Sequence, residues 1–493
     1  MLFNSYIFIL AFLPAALLGY FLLNRHGWHK AALCELTLMS FVFYAYNNTR
    51  YILILAVSIF VNWMLAYLLH KINDAPKFVG GGIKRKVILA AGITLNIGSI
   101  FYFKYFDFFL ENMNKLFSTD FELRNIVLPL GISFFTFQQI SYLIDSYRGQ
   151  TKDYTFLEYA AFVSFFPQLV AGPIVLHGEI IPQFRDEKKW HFSHDSFAHG
   201  IYTFAMGLFK KVLIADTFGK AVSLGWESIE TLTSLEIMIV MLSYTFQIYF
   251  DFSGYCDMAV GLGKLFNIEL PINFNSPYKS YSINEFWKRW HMTLTRFLRN
   301  YVYFPLGGSR KGKVRTCMNI MIVFLVSGIW HGANWTFILW GALHGLAQVL
   351  NRLFNRIWDK CNPVFQWICT FVFVNIMWLI FRADNVKQAI KTINRMLRME
   401  SYEIRVQLCN CFALEEVDWI VQRIRPLAIF PEKIYGFYMW AALLGALFIC
   451  LNLNNMHEKE FKPTLAKAVL TSVLLAWSIM SFAGVSTFLY FNF

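Results

Sequence analysis

The chain has 493 residues, of which 57% are hydrophobic, 18% aromatic and only 15% charged. Soluble globular chains carry about 25% charged residues, so this composition excludes an ordinary soluble enzyme. Apolar runs recur along almost the whole length and point to an all-α polytopic membrane protein. The formal net charge of +13 does not call for nucleic acid, because basic residues collect in cytoplasmic loops and meet anionic membrane lipid there.

In chain order, spans are predicted near 5–23, 31–47, 51–70, 87–106, 126–144, 157–176, 196–215 and 234–250, then at 317–350, 364–382, 434–453 and 464–491. The first run, Tyr6 to Leu23, lacks a basic leader and a small-residue cleavage site, and reads as a span and not a removed signal peptide. The 317–350 run exceeds the roughly 20 residues that cross a bilayer, so it is expected to form two helices or a broken pair. In all, 11 to 13 membrane segments are expected, some short or re-entrant. Lys71, Lys77, Lys84, Arg85 and Lys86 mark the 71–86 loop as cytoplasmic. The acidic 107–125 loop reads as external.

Lys279 to Arg315 holds nine basic residues against the single acid Glu285. Its sub-stretch NEFWKRWHMTLTRFLRNYVYFPL interleaves aromatic residues with cations, as an interfacial amphipathic helix does. Two readings are open: a positive loop lying on anionic lipid, or a docking surface for a phosphorylated substrate. The mixed polar stretch 383–433 reads as a small extramembrane insertion. No internal repeat supports an inverted-repeat transporter.

Polar residues inside spans are expensive and are functional candidates by default. Asp251 and Asp257 are six apart, not the three or four that would stack them on one helical face. Capping, or pairing with the basic segment, fits them better than a carboxylate dyad. His291 follows Trp290 and two cations, and alone would be an interfacial histidine. His331 and His344 lie 13 residues apart, each followed by glycine. Gly332 and Asn334 suggest a break beside His331, and non-helical backbone at membrane depth must face protein or water. His331 could alternatively hydrogen-bond a freed carbonyl and hold the break together. The eight Cys form no disulfide framework; Cys409 and Cys411 lack the gap of a zinc knuckle, and no metal-ligand spacing appears.

Seven pieces in order then resemble the membrane-bound O-acyltransferase family, in particular its bacterial alginate O-acetylation branch. They are LPLGISFFTFQQISYLIDSYRG (128–149), FFPQLVAGPI (165–174), GLFKKVLIAD (207–216), YFDFSGYCDMAVG (249–261), PINFNSPY (271–278), FWKRWHMTLTRFLRNYVYFPLGG (286–308) and SGIWHGANWTFILWGALHG (327–345). The resemblance implies one transmembrane domain, with N-terminal spans over 1–127, a catalytic core over 128–382, the 383–433 insertion and C-terminal spans over 434–493. It also implies helices ringed around a thin centre with funnels from both faces.

By the same resemblance His331 matches the family's invariant histidine and His291 its second site residue. Trp330, Asn334, Trp335, His344, Asp251, Asp257, Asn273, Arg289, Trp290, Arg296 and Arg299 become candidates for lining the tunnel or binding substrate. The implied donor is acetyl-CoA or another acyl-CoA, with its phosphates near the 279–315 cations. His331 is the expected general base on an acceptor hydroxyl, a task suited to an imidazole of unperturbed pKa about 6.5. Asn334, Trp335 or a freed backbone N–H is the expected oxyanion donor. No permanently bound cofactor is expected.

A bacterial inner-membrane enzyme that feeds a periplasmic acetyltransferase is implied, for alginate or a similar exopolysaccharide. Peptidoglycan O-acetylation and D-alanyl transfer to teichoic acid are alternatives within the family; an acyl or lipid-carrier transporter and a non-catalytic scaffold are alternatives of other classes. One departure is GPIVLHGEIIPQF, where Leu176–His177 stand in place of the basic residue many relatives carry.

Overall fold

A computed structural model describes residues 1–46, 48–74, 81–151, 153–421, 423, 431–458, 460–484, 488 and 489. Lys77 of the expected cytoplasmic loop, and residues 422 and 424–430 of the 383–433 stretch, lie outside the described residues. The described residues form helices and loops, with no strand. Seven helical segments among them are long and apolar enough to cross a membrane: Phe8–Arg25, Arg50–Ile72, Gly82–Phe117, Ser234–Leu265, Gly312–His331, Pro363–Arg382 and Ile434–Glu458. Other expected spans form shorter or broken helices. Ile132–Tyr147 is almost entirely buried, and the 157–176 run breaks into Phe156–Ser164 and Phe166–Leu169. A helix wrapped by protein need not reach bilayer length, since its backbone and side chains are satisfied internally.

The chain divides into two compact units, one of Met1–Gly207, Tyr255–Ile272 and the segment from Phe461, the other of Leu208–Gly254 and Asn273–Glu460. In the first, an aromatic core gathers Phe3, Phe8, Phe12, Phe43 and Phe166. A buried polar knot ties the helices Arg50–Asp74, Gly81–Ile100 and Ile132–Tyr147 together. Gln139 Oε1 accepts from Ser58 Oγ at 2.7 Å and Asn62 Nδ2 at 2.9 Å, while Asn96 Nδ2 donates to Asn62 Oδ1 at 2.7 Å. Interhelical hydrogen bonds of this kind hold helices together where lipid supplies no hydrophobic contrast.

The 317–350 run resolves into two helices, Gly312–His331 and Trp335–Leu353, as its length requires. Asn334 caps the second through Thr336 N at 3.0 Å. The two helices touch backbone to backbone at Gly328 and Gly341. A Cβ on Gly328 would lie 2.4 Å from Phe337 O, and one on Gly341 2.4 Å from Phe324 O. No side chain fits there, so Gly341→Leu is expected to force the helices apart. The check is accumulation and detergent thermal stability of the variant, which should both fall well below wild type.

The basic aromatic stretch departs from its expected single amphipathic helix. It forms Ile283–Arg289, Met292–Leu298 and a π-turn over Arg299–Tyr303. The first two are separated at Trp290–His291, where His291 adopts a left-handed backbone with φ 45°. The extended 273–275 segment explains the break. Met292 N donates to Asn273 O and Asn275 N donates to Arg289 O, each at 2.9 Å. The chain is pinned on both sides of His291.

Candidate active site

Every group of this site lies in the second unit. His291 is fully buried rather than interfacial, because the break turns it inward. Its Nδ1 lies 3.1 Å from Asn273 Oδ1, which also accepts from Thr293 N at 3.2 Å and Thr293 Oγ1 at 3.0 Å. A carbonyl oxygen beside Nδ1 can only accept, so Nδ1 carries the proton and Nε2 is the basic nitrogen. Asn273 therefore orients His291.

His331 ends the Gly312–His331 helix and is 4% exposed. Its ring packs edge-on against Trp330, Trp340 and Phe381, with centroids 4.9, 5.1 and 5.2 Å away. The Trp330 ring is shared with His291 at 6.0 Å, so one indole bridges the two histidines. Phe252 packs on the other histidine at 4.8 Å. The imidazoles thus sit in a buried aromatic setting.

A cavity of about 830 Å³ opens in the same unit. Lys288, Arg299 and Lys313 from the basic stretch line it together with Arg352 and Arg356, and Asn284, Gln348 and Asn351 add polar groups. Trp287 and Phe324 form part of its wall. Behind them sits His344, fully buried, whose Nδ1 accepts from Trp287 Nε1 at 3.2 Å. His344 in turn touches Trp340, centroid to centroid 4.7 Å, and Trp340 touches His331. The cations and His331 are connected through a short chain of rings.

Other candidates lie elsewhere. Asn334 spends its carbonyl on the helix cap and its amide on Asp384 O at 2.8 Å. Trp335 is 55% exposed. Neither is arranged as an inward oxyanion donor. Arg289 bonds Glu285 at 3.0 Å and Asn275 O at 3.1 Å, bracing the turn before His291. Trp290 is buried against Phe274, Phe286 and Trp378. Arg296 is half-buried and does not line the cavity. Asp257 is buried in the first unit.

Asp251 pairs with Lys211. Lys211 Nζ is 1% exposed and lies 2.6 Å from Asp251 Oδ1 and 2.7 Å from Asp216 Oδ1. The next residue, Phe252, is the one against His291, so this ion triad sets the position of a site wall. Lys211→Met removes the cation from buried Asp251 and partly buried Asp216, which costs about 3–5 kcal/mol. Thermal unfolding in detergent should show that loss, and the Lys211→Met/Asp251→Asn double variant should recover part of it.

His177, part of the departure after GPI, is paired with a carboxylate. In the first unit His177 Nε2 lies 3.2 Å from Asp145 Oδ2, and Arg148 lies 3.3 Å from the other carboxylate oxygen. His177 thus takes up a carboxylate-paired position there, which adjacency in sequence did not reveal.

Residues 123–385 match the membrane-bound O-acyltransferase family. The chain is 37% identical to a peptidoglycan O-acetyltransferase of Helicobacter pylori, covering 100% of this chain and 98% of that protein. It is 36% identical to a probable alginate O-acetylase of Pseudomonas aeruginosa over 82% of this chain and 76% of that protein. A teichoic acid D-alanyltransferase of Streptococcus thermophilus is 31% identical over 46% of this chain and 57% of its own length. With its apolar spanning helices, its paired buried histidines and these likenesses, this multi-pass membrane protein is an acyltransferase that belongs to the membrane-bound O-acyltransferase family.

Proposed function

We propose that this chain takes an acetyl group from cytoplasmic acetyl-CoA and passes it across the bacterial inner membrane for O-acetylation of a cell-surface polysaccharide, peptidoglycan first. The observation that carries the donor is the cation-lined cavity and its ring path to His331. Five cationic side chains around about 830 Å³ suit the phosphates of a nucleotide-bearing thioester. Lys and Arg also collect on the cytoplasmic side of membrane proteins, where acetyl-CoA is available.

The chemistry balances on the residues present. His331 takes the proton of an acceptor hydroxyl as its oxygen attacks the thioester carbonyl. The tetrahedral intermediate collapses by breaking the C–S bond, and the imidazolium returns its proton to the thiolate, leaving an acetyl ester and CoA. His291, held by Asn273, supports the same centre across Trp330.

The full-length likeness to a peptidoglycan O-acetyltransferase supports peptidoglycan as the destination. The likeness to probable alginate O-acetylases, 33% identical over the whole of both chains in Pseudomonas putida, supports an alginate-type exopolysaccharide as the second reading. In either, a periplasmic acetyltransferase is the partner that completes transfer onto the polymer. Deleting the gene and measuring ester-linked acetate on isolated peptidoglycan and on exopolysaccharide tests this. Loss from peptidoglycan alone supports the first reading and loss from exopolysaccharide alone the second. Unchanged acetate on both ends the proposal. Uptake of acyl donor into proteoliposomes without thioester cleavage would instead identify a transporter.

A further inference from the structure

Two buried side-chain nitrogens next to each other, one of them on a ring against His331, have no hydrogen-bond partner among the described residues. Trp340 and His344 are both 0% exposed, and among the described residues no group accepts from Trp340 Nε1 or pairs with His344 Nε2. Leaving a buried donor unsatisfied costs about 1–3 kcal/mol, and such groups in a native fold call for a specific reason. Here two occur four residues apart on one face of the Trp335–Leu353 helix.

The protonation of His344 follows from its neighbour. Trp287 Nε1 is a donor only, and it donates to His344 Nδ1. That nitrogen must offer its lone pair, so in the neutral ring the proton resides on Nε2. His344 is therefore held as an inward donor, and Trp340 Nε1–H is a second donor 4.7 Å away, ring centroid to ring centroid. The pair stands between two features already described: the cavity wall at Trp287 on one side, and His331, 5.1 Å from Trp340, on the other.

We infer that Trp340 Nε1–H and His344 Nε2–H are the hydrogen-bond donors that receive the thioester carbonyl oxygen as the acyl group passes from the cavity to His331. This rests on the acyl-transfer reading above. As the hydroxyl oxygen bonds to the carbonyl carbon, the C=O electron pair moves onto that oxygen, and the two N–H groups stabilise its charge. The pair re-forms the carbonyl as the C–S bond breaks, and the leaving thiolate is protonated from His331. Donors fixed in advance in a buried aromatic pocket need no reorganisation during the reaction, the condition under which this stabilisation is largest. Trp287 has a positioning role: it fixes the His344 tautomer.

The test uses the purified full-length protein in lipid nanodiscs with acetyl-CoA and soluble peptidoglycan fragments as the hydroxyl acceptor, following release of free CoA thiol. His344→Leu is expected to lower kcat about 10²-fold, the usual effect of removing one oxyanion donor, with KM for acetyl-CoA nearly unchanged. His344→Gln retains an N–H donor and should recover part of the rate. Trp287→Phe keeps an aromatic side chain but removes the indole N–H, frees Nδ1, and should lower kcat about tenfold; it carries the test should position 344 not tolerate leucine. A second readout is the infrared carbonyl stretch of a bound ketone analogue of acetyl-CoA in which CH2 replaces sulfur. It should lie lower in the wild type than in His344→Leu or Trp287→Phe. Wild-type kcat in both variants, or an unshifted stretch, overturns the inference while leaving acyl transfer standing. No thiol release by the wild-type protein overturns the acyl-transfer reading, and this inference with it.

Discussion

Replacing His331 by alanine is expected to abolish polymer acetylation while the protein still inserts and accumulates. The imidazole stands at the end of its helix, three residues past Gly328, so its loss leaves the Gly328–Gly341 crossing intact. A general base contributes typically 10²–10⁴-fold to rate, and thiol release from acetyl-CoA in the presence of acceptor should fall by at least that range. The matched control is His291→Ala, which also removes the partner of Asn273; thermal unfolding of both variants separates lost chemistry from lost packing. Acetylation at wild-type level in His331→Ala would remove His331 from the reaction.

The second large effect concerns the cavity. Reversing two of its cations together, Arg352→Glu with Arg356→Glu, is expected to raise KM for acetyl-CoA about 10²-fold or more. Each lost charge-assisted hydrogen bond is worth about 1.5–3 kcal/mol, which is roughly tenfold or more apiece. kcat at saturating donor should change little, because both residues lie on the cavity lining and not among the rings around His331. Wild-type KM should itself rise with salt as phosphate–cation attraction is screened, and that dependence should flatten in the double variant. An unchanged KM would detach this cavity from donor binding.

These two expectations differ in how much of each was legible along the chain. His331 stood out because a histidine flanked by glycine inside an apolar run is costly, and because 34 residues from 317 to 350 are too many for one crossing. The cavity was only half legible. The run of cations from 279 to 315 was visible, but Arg352, in the last turn of the Trp335–Leu353 helix, and Arg356, just after it, complete the lining from far along the chain. His291 was misjudged when taken alone, since nothing local marks a left-handed residue between two short helices. The 273–275 segment imposes that turn from about 18 residues away.

Local properties are enough for the class of molecule. Apolar run length decides that helices cross a bilayer, charge bias decides which loops attract anionic lipid, and glycine with a polar cap decides where the 317–350 run breaks. Partnership is another matter. Lys211 with Asp251 across 40 residues, and Trp287 with His344 across 57, join side chains whose sequence neighbourhoods carry no sign of one another. A buried charge or donor finds its partner only when helices pack, because the cost of leaving it unsatisfied is felt only after water is gone. That is why the histidines could be named from the chain, while their orientation, their walls and the donors beside them emerged only from the packed helices.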